Sequence, residues 1–207
     1  TSKARVSFVL ATDSARALDV RRALRGQRAK AFKAKPKVTK QELRFGTKQL
    51  PCFSMRDPFA SLLLHGLKTV ETRQRPMLKG TEGYCLLHVG QKLMPGEEAL
   101  EQLAEVPGVE AERVMQPPGE LRRGQILGLL ELGSTRKLTG KELADPSMHR
   151  QVMSTLVGQF GTTINRTWWL SDGLKERGQP GVWTVDFPVH LAPEGVVLEP
   201  DRPARVL

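Results

Sequence analysis

Cysteine is scarce in this sequence, and its scarcity excludes two ways of stabilising a fold. Cys52 and Cys85 are the only two cysteines among the 207 residues, and they show no repeated paired spacing. Disulfide scaffolds and structural zinc sites both need more thiols, in closer groups. The composition therefore predicts a fold held together by its apolar core, in a reducing compartment and without a metal.

Long apolar runs and the common cofactor motifs are missing as well. The longest apolar stretch, ILGLLELG at residues 126–133, is far shorter than the roughly 20 residues that cross a bilayer. The chain has no dinucleotide-binding glycine fingerprint, no P-loop and no nucleophile-elbow motif. We therefore predict no membrane segment and no bound cofactor. The hydrophobic content of 39% is sufficient for a buried core.

Acidic residues are nearly absent from the first 50 positions. Residues 1–50 contain 14 lysines and arginines against three acidic residues, a net charge of +11, which leaves −1 for the rest of a chain whose net charge is +10. Such an asymmetry is typical of a segment that neutralises phosphates. We interpret residues 1–50 as a basic N-terminal arm that binds a polyanion. A solubilising or disordered tail is the alternative.

Within this arm, residues 13–35 show a helical pattern in which small apolar residues form a narrow stripe and most of the surface is basic. Pro36 ends the pattern. The cations predicted to contact RNA are Arg21, Arg22, Arg25, Arg28, Lys30, Lys33 and Lys35.

After residue 50 the pattern is mixed α and β. Strands are predicted at residues 49–55, 68–73, 84–89, 125–134 and 181–191. Helices are predicted at residues 58–65 and 95–106, the latter with Leu100, Leu103 and Ala104 on its apolar face, followed by one capped by Thr139 and Glu142 and one starting near Pro146. Short strands interspersed with helices favour a small barrel, closed or nearly closed, over a doubly wound sheet.

The most informative segment is FSMRDPFASLLLHGLKTVETRQRPML, residues 53–78. Asp57 is predicted to cap a helix that Gly66 ends, and the following residues alternate as in a strand. In a strand, Lys68 and Glu71 would face opposite sides, so they meet only if the chain bends after Gly66.

This segment resembles the signature of the ASCH domain family, Gly-x-Lys-x-x-Glu, which is Gly66, Lys68 and Glu71 here. It is especially similar to the endothelium- and lymphocyte-associated ASCH proteins, and the looser similarity extends over residues 51–195. The resemblance implies an α+β fold with a small PUA-like β-barrel and inserted helices, preceded by the arm and followed by a tail at residues 196–207. It also implies that Lys68 and Glu71 face a cleft that receives RNA or a nucleotide-like ligand.

The resemblance also offers an enzymatic alternative. Some small bacterial ASCH proteins are amidohydrolases that act on N4-acetylcytidine with a lysine, a threonine three residues later and a distant glutamate. Lys68 matches the lysine, but Glu71 stands at the threonine position, and Glu131 is an acidic candidate for the distant residue. A carboxylate beside Lys68 would keep the ammonium charged, whereas a lysine acting as base or nucleophile must lose its proton.

Other side chains complete the set of candidates. Arg56, Arg73 and Arg75 are possible phosphate contacts, although the last two could pair with acidic residues instead. Trp168 is a candidate for stacking on a base, with one of Trp168 and Trp169 expected inside and the other near the surface.

Two histidines are assigned structural roles rather than chemistry. Cys85 and His88 are predicted to point to opposite faces of a strand, which argues against a metal site there. His65 is expected to cap the end of a helix.

Together these features predict an RNA-binding protein, a structural component of a large ribonucleoprotein such as the mitochondrial ribosome. Its partners would be RNA, including ribosomal RNA, and neighbouring proteins of that particle. The arginine- and alanine-rich start is typical of mitochondrial proteins; the cytoplasm or the nucleus are the alternatives. A hydrolase of modified nucleosides and a protein-interaction adaptor are the other function classes.

Overall fold

The structure is a computed structural model that describes residues 46–92, 96–110 and 123–201, all within one compact unit, Thr39–Leu207. The basic arm up to residue 45, including its predicted helix and RNA-contacting cations, lies outside these residues. In chain order the elements are β1 (Thr47–Met55), α1 (Phe59–Leu64), β2 (Val70–Arg73), β3 (Gly83–Val89), α2 (Gly96–Ala104), β4 (Gln125–Lys137), α3 (Gly140–Leu143), α4 (Pro146–Val152), β5 (Phe160–Leu174), β6 (Val182–Pro188) and the 3-10 turn Val189–Leu191. Within these ranges, no helix has the length and apolar character needed to cross a membrane.

One six-stranded mixed sheet carries the fold, in the order β2-β5-β4-β3-β1-β6. The β1 and β3 strands are parallel, whereas every other neighbouring pair is antiparallel. This arrangement confirms the predicted α+β class.

The sheet is not closed, because among the described strands β2 and β6 remain as its two edges. The closed or nearly closed barrel predicted from the sequence is therefore not confirmed. β2 has four residues, and β5 is its only partner among the described strands. The sheet nevertheless curls: Arg73 Nη2 of β2 lies 3.5 Å from the backbone oxygen of Ser54 in β1, the fifth strand of the order.

Both faces of this sheet are covered, because alternate residues of each central strand point to opposite sides. On one face, Phe53 and Met55 of β1 pack in a core with α1 and β4. On the other face, Leu50 and Cys52 pack with β6 and with the chain after it. The two cysteines are buried free thiols, and burial raises the pKa of Cys85 to about 12. Burial raises the pKa of Cys52 as well, so both thiols are protonated at neutral pH.

The helix boundaries follow most of the expected signals. The Thr139–Glu142 capping box is present, and α4 begins at Pro146 with Asp145 as its N-cap. At α1 the prediction was wrong, because Pro58 occupies the N-cap position, and the Asp57 carboxylate accepts a hydrogen bond from Ser61 Oγ at 2.8 Å.

Two elements differ from the sequence-based expectation. β5 is a 15-residue strand that is absent from the strands predicted from the sequence. In α2, Ala99 and Leu103 are fully buried, whereas Ala104 is exposed. The helix therefore turns a slightly different face to the core than the one predicted.

The two ends of the described domain meet at the start of β1. The strand begins at Thr47, inside the segment assigned to the arm. The Asp201 carboxylate accepts hydrogen bonds from Lys48 Nζ at 2.6 Å and from the Gln49 backbone at 2.9 Å, and the Asp201 amide donates to the Thr47 carbonyl at 3.0 Å. The chain up to Asp201 is thus bound to the first strand of the sheet.

Candidate functional site

A bend after α1 brings the signature residues together. Gly66 has a φ of 71°, a conformation that residues with a side chain rarely adopt, and it ends the helix as predicted. The amides of Leu67 and Lys68 both donate to the Leu62 carbonyl, so the chain turns back on the helix before β2 begins. Lys68 is therefore placed outside the alternation of the strand, which allows it to reach Glu71.

Lys68 is buried, with 4% of its surface exposed, and its ammonium group is surrounded by acceptors. Nζ donates to the carbonyl oxygens of Val152 at 2.8 Å and Val70 at 3.0 Å, and it lies 3.2 Å from Glu71 Oε2. An ammonium group has three protons, and three acceptors surround it here. Through these hydrogen bonds, Lys68 connects the start of β2 with the end of α4.

Glu71 joins this buried lysine to the surface. Its Oε2 faces Lys68, while its Oε1 forms an ion pair with Arg73 Nε at 2.6 Å. Glu71 is 5% exposed, whereas the Arg73 side chain is 37% exposed. The contact between Lys68 and Glu71 that required a bend after Gly66 is present. The carboxylate also fixes the orientation of an arginine whose guanidinium extends towards solvent.

The electrostatics of Lys68 follow from its position. Burial lowers the pKa of Lys68, and the charge of Glu71 acts in the opposite direction. With its three protons directed at Val70, Val152 and Glu71, the amine presents no lone pair to a substrate in this geometry. The arrangement suits a lysine that positions its neighbours better than one that attacks a carbonyl.

Four cations gather where β1 and β3 end. We call Arg56, Arg73, Lys92 and Arg123 the cationic rim. Met55 and Val89 are in register, and the Gly90 amide donates to the Met55 carbonyl, so the segments that follow both strands leave the sheet side by side.

Two members of the rim lie at this end of the sheet because of their chain position, and two are held there by contacts. Arg56 follows β1 directly and is exposed, as is Lys92 after β3. Arg123 precedes β4, whose start is paired with the end of β3, and its Nε lies 4.0 Å from Asp57. Arg73 of β2 reaches the end of β1 through the contact of its guanidinium with the Ser54 carbonyl.

Besides Glu71, which pairs with Arg73, Asp57 contacts this rim through Arg123, and it is 8% exposed. Burial raises the pKa of Asp57, while the hydrogen bond from Ser61 and the charge of Arg123 lower it. Because the carboxylate is shielded from solvent, the surface that the rim presents to a ligand is positive.

The remaining predicted contacts are distributed over the domain. Arg75 is exposed just after β2. Trp168 is half-buried, with its ring 6.1 Å from that of Tyr84, whereas Trp169 is 36% exposed and lies 5.1 Å from the ring of His65. Trp169 is thus the more accessible tryptophan, and neither is fully buried.

Glu131, the candidate for a distant catalytic acid, forms an ion pair with Arg166 on the surface of the sheet. It is not among the groups that contact Lys68. Glu131 thus pairs with a residue of the neighbouring strand β5 and does not contact Lys68.

Sequence reasoning missed a second polar group of side chains. Cys85 and His88 do face opposite sides of β3, as predicted, but His88 contacts Ser54 on β1, with Ser54 Oγ and His88 Nδ1 separated by 2.8 Å. The His88 ring also packs edge-on against Trp183 of β6. These residues come from three separate strands, and no spacing in the sequence predicts their contact.

No model of a known protein family matches the chain. The resemblance to ASCH proteins consequently stays a prediction that depends on Gly66, Lys68 and Glu71 and on the order of the elements around them.

Proposed function

We propose that the chain is an RNA-binding protein with an ASCH-type, PUA-like domain, in which the cationic rim contacts the phosphate backbone and the basic arm supplies most of the affinity. The main observation behind this proposal is a buried ion network, in which Lys68 contacts Glu71 and Glu71 contacts Arg73. This network orients Arg73, a member of the cationic rim. A structural role in a ribonucleoprotein such as the mitochondrial ribosome is the specific form of the proposal.

The rim supports phosphate binding through its charge and its exposure. Arg56 and Lys92 are exposed, and the Arg73 and Arg123 side chains are 37% and 42% exposed. Arginine suits this role because its planar guanidinium can contact two phosphate oxygens at once. Phosphate contacts of this kind fix the register of a nucleic acid without reading its sequence.

The buried part of the network supports an indirect role for the signature residues. Lys68 and Glu71 are too deeply buried for direct contact with a phosphate in this geometry. Their proposed contribution is to orient Arg73, so that its guanidinium does not have to be ordered when RNA binds. Preorganisation of this kind reduces the entropic cost of binding.

The arm supports the proposal through the distribution of charge. Residues 1–50 carry a net charge of +11, and the remainder of the chain is nearly neutral. If about six cations of the arm contact phosphates, the slope of log K against log salt is roughly −4 to −5. The rim would add about one unit of slope for each of its contacts.

A salt titration of RNA binding tests both parts. Because β1 begins at Thr47, the truncated protein should lack residues 1–45 and keep Gly46. We expect truncation to flatten the salt slope and to weaken binding uniformly across RNA sequences. Unchanged affinity and slope after truncation would exclude the arm as an RNA anchor.

A pair of arginine substitutions tests the rim separately. Arg73→Gln should weaken binding and reduce the slope by about one. The matched control is Arg166→Gln, which removes a surface arginine of β5 that also pairs with a glutamate but lies outside the rim. Equal effects of the two substitutions would show that the rim has no special role.

Two further measurements separate the alternative function classes. Co-purification of RNA that is lost after nuclease treatment supports RNA binding, whereas a protein complex that survives nuclease supports an interaction adaptor. Release of acetate from N4-acetylcytidine by the wild-type protein, abolished by Lys68→Ala, would support the hydrolase instead. The arrangement of acceptors around Lys68 leads us to expect no release.

A further inference from the structure

An exposed tryptophan of β5 lies beside the end of α1. Trp169 is 36% exposed, whereas Trp168 and Trp183 are half-buried. Its register partner is Gly128 of β4, and paired residues of neighbouring strands share a face of the sheet. The centroid of the Trp169 ring lies 5.1 Å from that of His65, which follows α1 directly. We call Trp169 and His65 the aromatic platform.

The end of α1 holds the backbone of this platform in place. Thr167, two residues before Trp169, donates a hydrogen bond from Oγ1 to the Leu64 carbonyl at 3.2 Å. A Cβ atom added to Gly128 would overlap the Leu64 side chain, so glycine allows α1 to lie directly against β4. His65 is the C-cap of the helix. The backbone of both rings is thus ordered before a ligand binds, which reduces the entropic cost of binding.

The surface around the platform is open and partly apolar. His65 and Gly66 are exposed, and Leu67 is 49% exposed. Among the described residues, no atom lies within 4 Å of a Cβ added to Gly66. Isolated exposed apolar side chains need no explanation, but here a tryptophan, a histidine and a leucine are exposed around one helix end. Such a patch is typical of a binding surface.

The separation of the two rings limits how a flat ligand can stack on them. A base that entered between the rings would need about 7 Å, which is two stacking distances of about 3.4 Å, and the centroids are only 5.1 Å apart. A base can therefore stack only on the side of the Trp169 ring that faces away from His65. Stacking of this kind requires an unpaired base, and it tolerates any sequence because every base has a π face.

The nearby positive charge favours a nucleic acid over an apolar protein segment as the occupant. The cationic rim lies at the other end of α1, where Arg56 precedes the N-cap Pro58 and Arg123 contacts Asp57. From Pro58 to His65 the helix rises about 10 Å. This length corresponds to roughly three nucleotides at a stacking distance of about 3.4 Å. A short single strand is thus long enough to contact the rim and the platform together.

We propose that the aromatic platform binds an unpaired base, stacked on Trp169, and that single-stranded RNA is therefore the substrate class of this domain. The inference rests on the proposed RNA-binding function and adds a preference to it. The arm and the rim cannot supply this preference through phosphate contacts alone, because phosphates are present in paired and unpaired RNA alike.

The test compares the binding of a dye-labelled oligouridine, alone and paired with oligoadenosine, to the full-length chain. Trp169→Leu should weaken binding of the single strand by about tenfold, leaving its salt slope and the affinity for the duplex unchanged. Trp169→Phe is the matched control, because it keeps a ring and should retain most of the affinity. Urea unfolding verifies that both variants are folded. Oligouridine should also quench the tryptophan fluorescence of the wild type, and this quenching should be lost in Trp169→Phe.

The outcomes separate this inference from the function on which it rests. If the wild type binds oligouridine with the expected salt slope and Trp169→Leu binds equally well, the platform is wrong while RNA binding stands. Equal losses for single strand and duplex would also overturn the platform, since they would indicate a structural effect of the substitution. Failure of the wild type to bind either RNA would remove both proposals. A nuclease-resistant protein complex that Trp169→Leu disrupts would assign the patch to a protein partner instead.

Discussion

The buried ion network allows a sharp test of the signature segment through the substitution Glu71→Gln. This change preserves the shape of the side chain and removes the charge that faces both Lys68 and Arg73. At 3.2 Å and an effective dielectric constant of 20, the attraction between Glu71 and Lys68 alone is about 5 kcal/mol before desolvation is considered. Removing one partner of a buried pair typically costs about 3–5 kcal/mol.

We expect a loss of about 3 kcal/mol in the free energy of unfolding for Glu71→Gln, at the lower end of this range. The glutamine keeps an oxygen that can accept from Lys68, and burial already lowers the pKa of Lys68, so the lysine can release its proton instead of remaining as an unpaired charge. Urea unfolding followed by tryptophan fluorescence measures the change, which corresponds to about 1.5 M in the midpoint at a slope of about 2 kcal/mol per molar urea.

Glu131→Gln is the matched control, because Glu131 also pairs with an arginine but at 3.7 Å and in a largely exposed position. In water the attraction at this distance is about 1 kcal/mol, and the measured worth of surface pairs is about 0–1 kcal/mol. If Glu71→Gln is no more destabilising than Glu131→Gln, the network does not hold β2 and α4 together, and the positioning role assigned to the signature residues is wrong.

Further predictions concern pH, packing and the tryptophans. The hydrogen bond from Arg136 lowers the pKa of Glu142 to about 2, so its stabilisation is present above pH 4.5 and lost as the pH falls towards 2. The difference in melting temperature between wild type and Glu142→Gln should vanish over this interval. Gly158→Ala places a Cβ 2.6 Å from the β2 backbone at Arg73 and should cost about 2 kcal/mol in urea unfolding, whereas Gly140→Ala meets no atom within 4 Å and should be nearly neutral. Trp168→Ala should cost about 2 kcal/mol in the same assay, because the half-buried ring packs against Tyr84, and a smaller loss than that of Trp169→Ala would contradict this reasoning.

The parts of the fold that the sequence predicted correctly are those governed by neighbouring residues. The Thr139–Glu142 capping box and the end of α1 at Gly66 depend on contacts within a few positions, and short-range patterns contain that information. The short runs of strand-forming residues in β1 and β3 likewise predicted strands that are present.

β5 was harder to predict because its apolar alternation is incomplete: Ile164 and Leu170 are buried, but polar residues occupy most positions between them. Its long pairing with β4 stabilises it, and that partner is remote in sequence. Propensity and pattern alone could not identify a strand of this kind.

The candidate site likewise combines contacts that neighbouring residues determine with contacts between residues remote in sequence. From the sequence, we could say that Lys68 contacts Glu71 only if the chain bends after Gly66. The Val152 carbonyl that accepts a hydrogen bond from Lys68, however, belongs to α4, 84 residues later, and could not be predicted. Likewise, the pairing of β1 with β3 brings Ser54 to His88, and nothing in either segment indicates the other. Contacts of this kind depend on topology, which a single sequence specifies only through the whole fold.

The place where the domain's two ends meet has a consequence for affinity. Asp201 is bound at the beginning of β1, where the chain enters from residue 45, whereas Arg56 follows the end of this nine-residue strand. At about 3.3 Å per residue, the attachment point of the basic arm and the cationic rim are roughly 30 Å apart along the strand. If both bind the same RNA, they act as two tethered sites, and the local concentration of the second site depends on the length of chain between them. Changing the length of the chain near residue 45 would then change the affinity even if every cation of the arm were retained.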